Sequence, residues 1–153
     1  MGIRRQAREL AIQVLFSSDF NNDWNLDLAQ SCSEFYCKDK TVMKFANLLI
    51  TGVIKNKINL DSNITKASEN WSISRMSRVD RSILRVCSYE IIFLNDVPVN
   101  VSINEAIEIA KKFGSEDSAN FINGVIDRIA RSHSVDLENV DSEPLDTELL
   151  KIA

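Results

Sequence analysis

The chain has 153 residues, 44% hydrophobic and 26% charged, which is enough for one domain with a real core. Only 4 glycines and 2 prolines are available for turns, too few for a many-stranded sheet, so the expected fold class is all-α. A net charge of −4 and a pI of about 5.1 exclude a globally basic nucleic-acid binder and confine any such site to a local patch.

Residues 3–19 read as a helix with Ala7, Leu10, Ala11 and Val14 on one face. Arg4, Arg5 and Arg8 fall in another sector, roughly 120° around the wheel at ~100° per residue. Cations in a first turn oppose the helix dipole at ~0.3–1 kcal/mol each, a penalty that a bound polyanion reverses. A solvated arginine cluster is the plainer alternative. Asn21-Asn22-Asp23 marks a loop, and a short helix is expected near Leu26–Phe35. Val42, Phe45, Leu49 and Val53 predict a longer helix over 41–57. A break at Asn59-Leu60-Asp61 precedes another, carried by Leu60, Ile64 and Ala67 to about Asn70. Trp71 opens a connection over 71–77 and is expected to plug the core.

Residues 78–95 are apolar on most sides and predict a helix central to the core. Its narrow stripe of Arg78, Arg81 and Arg85, at i, i+3 and i+7, is expected to face solvent or a partner. From Val97 to Arg131 the pattern predicts two helices hinged at Lys112-Phe113-Gly114-Ser115. Ile103, Ala106, Ile107, Ala110 and Phe113 form the first stripe, and Ile122, Val125, Ile126 and Ile129 the second. Ser102 and Glu105 have the spacing of a capping box. Gly114 stands where a left-handed residue ends a helix, and Asp117 or Ser115 can cap the next. Lys111, Lys112, Phe113, Asn120, Phe121 and Asn123 crowd this joint. Aromatic faces for bases, amides for base edges and cations for phosphates suit single-stranded RNA; a core phenylalanine is the competing reading. Gly124, inside the second helix, costs ~1 kcal/mol against alanine and suggests close approach by a backbone or ligand.

Residues 134–153 hold six acids against Lys151, a net −5 that leaves the rest of the chain near +1. They are expected to form a mobile acidic tail with a short helix at 145–152, behind a single domain over 1–133. Three cysteines, Cys32, Cys37 and Cys87, form no disulfide framework, and with the single His133 they complete no zinc set. Reduced thiols, the lack of an apolar leader, and no run near ~18 apolar residues point to a cytoplasmic protein without a membrane partner. No glycine-rich phosphate loop is present, and His133 has neither a nucleophile nor an orienting acid nearby in sequence. Neither an enzyme nor a cofactor is expected.

Three blocks carry a family resemblance. Arg4-Arg5-Gln6-Ala7-Arg8-Glu9 followed by Ala11-Ile12-Gln13-Val14-Leu15-Phe16, then Arg78-Val79-Asp80-Arg81-Ser82-Ile83-Leu84-Arg85 with Tyr89-Glu90, then the run from Ile103 to Arg131 resemble the NusB family of bacterial transcription antitermination factors. The resemblance covers roughly residues 3–132 and excludes the acidic tail. It implies about seven helices in two small bundles and a non-enzymatic role: binding boxA-type RNA in nascent transcripts together with NusE, a small-subunit ribosomal protein. The pair would nucleate an antitermination complex on RNA polymerase, notably for rRNA operons. It further implies that Arg4, Arg5, Arg8, Phe113, Asp117, Ser118 and Phe121 lie along the RNA path, joined by Lys112, Asn120 and Asn123 of the joint. Asp80 and its neighbours Arg81 and Arg85 would face NusE. Gln6 interrupts the basic run and Asn120 stands where relatives can carry a cation, so either a weaker RNA affinity or more reliance on the protein partner is expected. The alternatives are a protein-interaction module without useful RNA affinity and the similar RNA-binding domain of certain 5-methylcytosine rRNA methyltransferases, whose downstream cofactor-binding domain is not expected here.

Overall fold

The apolar periodicity resolves into seven α-helices among the described residues of a computed structural model, which cover 2–142 with side chains through Ser134. These are α1 (Ile3–Asn21), α2 (Leu26–Tyr36), α3 (Lys40–Lys55), α4 (Lys57–Ala67), α5 (Arg78–Phe93), α6 (Val99–Phe113) and α7 (Ser118–Ser142), with a one-turn 3-10 helix at Ile73–Arg75 before α5. Side-chain caps set several starts. Asn25 accepts from the Leu28 N–H, Asp39 from those of Thr41 and Val42, and Ser77 from that of Asp80. α1 ends on Asn22 in the left-handed conformation, φ 51°, which asparagine tolerates better than most residues.

Three boundaries differ from the sequence reading. The break after α3 falls at Asn56, not at Asn59–Asp61, because Leu60 and Ile64 are both fully buried and must share one helical face. The Asn56 amide donates to the Gly52 carbonyl at 2.8 Å and closes α3. α6 starts four residues early: Pro98, with φ −58°, occupies its N-cap position, and Ser102 is inside the helix at 1% exposure. The predicted capping box is therefore absent. Ser102 Oγ donates to Glu90, and Glu105 is engaged by Arg5. α7 continues to Ser142, into the acidic segment. The short helix expected at 145–152 lies outside the described residues.

α1, α2 and α3 pack on one another as one bundle and α4 to α7 as a second, with α5 touching α1 and α3 as well as α4, α6 and α7. Continuous burial of α5 from Ser82 to Ile91 follows from having neighbours on every side. Leu15, Leu49, Ile50, Ile64, Ile83, Leu84, Ile109, Ile122 and Ile126 fill the interior. The crossing of α3 and α5 depends on Gly52: a Cβ there would overlap the Tyr89 ring.

Candidate functional site

The buried arc of α1 is wider than its predicted stripe. Ile12 and Leu15 join Leu10, Ala11 and Val14 in the core, and Arg8, one turn before Ile12, goes inside with them. Its side chain is 3% exposed and forms a bidentate pair with Glu90 of α5, with Nη2 to Oε1 at 2.6 Å and Nε to Oε2 at 3.0 Å. This corrects the assignment of Arg8 to an RNA-facing sector: its charge is spent on an internal carboxylate, and no phosphate can reach it. Removed from that partner it would be a buried, uncompensated charge.

Arg4 and Arg5 remain at the surface, where α1 runs beside α6. Arg4 stacks over the Phe45 ring at 4.8 Å and lies 3.9 Å from Asp96. Arg5 forms a bidentate pair with Glu105 of α6 at 2.7 and 3.0 Å. That hydrogen bond, opposed by burial and aided by the charges of Arg5 and Arg8, holds the Glu105 carboxyl below its usual range. Lys112 Nζ donates to both oxygens of Glu9 at 3.1 and 3.2 Å and sits 5.0 Å from the Phe113 ring centroid. Lys111 pairs with Glu108 at 3.3 Å. Arg5, Glu9, Glu108, Lys111 and Lys112 together line a shallow cleft of about 290 Å³. The edge is therefore a mosaic of paired charges, not a bare basic patch. Glu105, expected to close a capping box, instead meets Arg5 of α1, Glu9 meets Lys112 only once α6 lies against α1, and Glu108 pairs one turn away on its own helix.

Beside this cleft runs an apolar groove of about 570 Å³, lined by Leu10, Phe16, Tyr36, Val42, Val79 and Phe113 with Gln6 and Glu9 on its polar rim. Glu9 lines both features, and Phe113, half-exposed, lines this groove next to Lys112 of the cleft. Phe121 does not match it: its ring is partly buried against the core, which removes most of the stacking face expected of it. Ser118 is 1% exposed. Its hydroxyl accepts from the Ser115 N–H at 2.9 Å and donates to Asp80 Oδ1 at 2.6 Å. Ser118 thus bolts the start of α7 to the first turn of α5 and is not available to RNA. Asp117, just before α7, and Asn120 and Asn123 on it are exposed. Among the described residues the Asp117 carboxylate has no hydrogen-bond or ion-pair partner, so the expected cap is not formed there. Gly114 is extended, with φ −86°, and not left-handed. What requires glycine is space, since a Cβ would lie 2.5 Å from Ser118 Cβ and 2.8 Å from the Ala110 carbonyl oxygen. Gly124 faces open space, so packing within the chain does not explain it.

The stripe on α5 also divides. Arg81 forms a bidentate pair with Asp19 of α1 at 2.5 and 2.6 Å and donates to the Ile73 carbonyl at 3.2 Å. Arg85, 3% exposed, binds Asp61 of α4 at 2.8 and 3.1 Å and Asp19 at 3.2 Å. These two arginines staple α1, α4 and α5 together, which corrects their assignment to a partner-facing surface. Asp19 and Asp61, distant in sequence, claim them. Burial pushes the Asp19 carboxyl up, but the hydrogen bonds and charges of Arg81 and Arg85 outweigh it and leave the group below its usual range. Asp80 stays half-buried beside the groove lined by Val79. Among the described residues no cluster of histidine, cysteine or carboxylates could hold a metal ion, and no helix is long and apolar enough to cross a membrane.

Residues 5–131 match the NusB family. The transcription antitermination protein NusB of Geobacter sulfurreducens is 50% identical over 131 residues, 85% of this chain and 95% of that one. The Bdellovibrio bacteriovorus protein of the same name is 44% identical over 131 residues, 85% and 96% of the two chains. Among solved structures, T. maritima NusB superimposes with a TM-score of 0.78 at 38% identity, covering 85% of this chain and 92% of that one. A chain from a crystal structure of the antitermination factors NusB and NusE in complex with double-stranded RNA gives 0.76 at 28% identity, covering 86% and 98%. With sequence and fold in agreement over nearly the whole length of these relatives, the chain belongs to the NusB family.

Proposed function

We propose that this protein is a transcription antitermination factor that binds boxA-type single-stranded RNA in nascent transcripts together with NusE. The pair helps assemble an antitermination complex on RNA polymerase, notably at rRNA operons. The observation that carries the reading is the α1–α6 edge, where Arg5, Lys111 and Lys112 line one cleft, Arg4 is exposed beside Arg5 in sequence, and the half-exposed ring of Phe113 lies against Lys112. Cations and an exposed aromatic at one surface suit a single strand. From there the RNA path continues over Asp117, just before α7, and over Asn120 and Asn123 of α7. The adjoining apolar groove, beside Asp80 and floored by Phe16 and Val79, takes the protein partner. Residues 1–133 act as one binding domain in the cytoplasm, without catalysis.

Replacing Arg5 and Lys112 together by alanine is expected to weaken RNA binding and to reduce the slope of log K against log salt by about 1.4, at ~0.7 per phosphate contact on a single strand. An unchanged slope would show that the edge is merely solvated. A second reading draws on one observation: every cation on this edge has a carboxylate within 4.0 Å. That neutrality fits a protein-interaction module without RNA affinity of its own. Titrating boxA-type RNA with and without NusE separates the two, since only the first reading gives saturable binding by this protein alone.

A further inference from the structure

Trp71, expected from its sequence to plug the core, is instead 48% exposed. It lies on the surface with the Arg75 guanidinium 5.8 Å from its ring centroid. A second pair of the same kind lies nearby: Phe20, 64% exposed, carries the Arg78 guanidinium at 5.4 Å. The two pairs flank a single fork, because Arg81 holds both the carboxylate of Asp19, next to Phe20, and the carbonyl of Ile73, two residues from both Trp71 and Arg75. Their charge state sets them apart from the α1–α6 edge. There every cation is matched by an acid, whereas neither Arg75 nor Arg78 has a carboxylate partner among the described residues. Both arginines are exposed. Asp19 is consumed by Arg81 and Arg85, and Glu69, the acid nearest Trp71 in sequence, pairs with Arg128 at 3.2 Å.

Exposed aromatic planes interleaved with uncompensated guanidinium groups are the chemistry that holds unpaired bases: rings and guanidinium planes stack on them, and the charges meet their phosphates. A protein partner would also use aromatic and arginine anchors, but it would have to supply carboxylates for two arginines that lack them. A polyanion brings that charge on every residue. We propose that Phe20, Trp71, Arg75 and Arg78 form a second contact surface for single-stranded RNA, separate from the α1–α6 edge. Phe16, which lines the apolar groove, stacks on Phe20 with centroids 6.4 Å apart, so this surface is continuous with the groove. RNA bound on it runs along the margin of whatever occupies the groove. The inference does not depend on Arg5 or Lys112.

The test uses the full chain and a labelled 20-nucleotide oligouridylate, titrated across salt. Arg75→Gln with Arg78→Gln should weaken binding about tenfold and lower the salt slope by about 1.4. Phe20→Leu with Trp71→Leu should weaken it about tenfold with the slope unchanged, since stacking releases no counterions. In the unaltered protein the oligonucleotide should quench tryptophan emission. That quench should be lost in Trp71→Phe and kept in Trp24→Phe, which reads the contact without a destabilising change. Wild-type RNA affinity in both double variants overturns the proposal, whether or not their affinity for NusE falls. Absence of a Trp71-dependent quench overturns it as well. Arg5→Ala with Lys112→Ala, run alongside, reports on the α1–α6 edge alone, so failure of either surface is distinguishable from failure of the other.

Discussion

Arg4, Arg5 and Arg8 look interchangeable in the sequence, and the structure gives them three different situations. Arg4 is at the surface over Phe45, Arg5 is clamped to Glu105, and Arg8 is sealed against Glu90. The difference is set by Ile12, whose burial widens the inner face of α1 by enough to take in position 8. Helical spacing alone places the three arginines about equally well inside or outside, so only the neighbours on α5 and α6 decide. Arg8→Met alone should then lose about 3–5 kcal/mol in urea unfolding, the range for stranding one partner of a buried pair. Arg8→Met combined with Glu90→Leu should recover much of that loss. If the single variant costs no more than a surface substitution, the pair is not the internal tie described above. Ser118 illustrates the same lesson: the family resemblance puts it on the RNA path, and its hydroxyl is committed to Asp80.

At the scale of elements, sequence periodicity located the six helices other than α2, because each has apolar residues at helical spacing on one face; α2 buries only Ala29 and Ser33 and is expected without such a stripe. Periodicity misplaced the boundary between α3 and α4, where the polar run around Asn59 looked like a loop but only its exposed side is polar, Leu60 being buried. It also gave no hint of Gly52, since the ring that needs the space comes from Tyr89, 37 positions away. Gly52→Ala drives a methyl group into that ring, and overpacking of this kind typically destabilises by ~1–3 kcal/mol. Tyr89→Leu should relieve most of the added strain. A thermal melt of the two single variants and the double measures the coupling, and purely additive effects would contradict the contact. Gly114 at the α6–α7 joint is a parallel case: its place at the end of α6 is legible in the sequence, but what requires glycine is space beside Ser118 and not a left-handed turn.

For the molecule as a whole, the two bundles are joined both by apolar contact and by charge. Asp19, held by Arg81 and Arg85 from the other bundle, and Glu105, held by Arg5, both have carboxyls lowered below their ordinary values. A carboxyl lowered by folding contributes stability above its unfolded pKa and loses that contribution as pH falls toward the folded value. Unfolding midpoints in urea should therefore be nearly level between about pH 5 and 7 and fall below about pH 4, where unfolded aspartate and glutamate take up protons. A midpoint that rises on acidification would mean that the staples cost more than they contribute.

The paired charges along α1 and α6 bear on kinetics as well. With each cation shadowed by its own acid and the body near +1, this edge projects little field beyond the Debye length of ~8 Å at physiological salt. An RNA strand approaching it is not steered from a distance, and its arrival rate should resemble that of a neutral encounter. The cations act only at contact, after Glu9 and Glu105 have yielded them. Discrimination among RNAs at this edge would then lie in how long each stays and not in how fast it arrives.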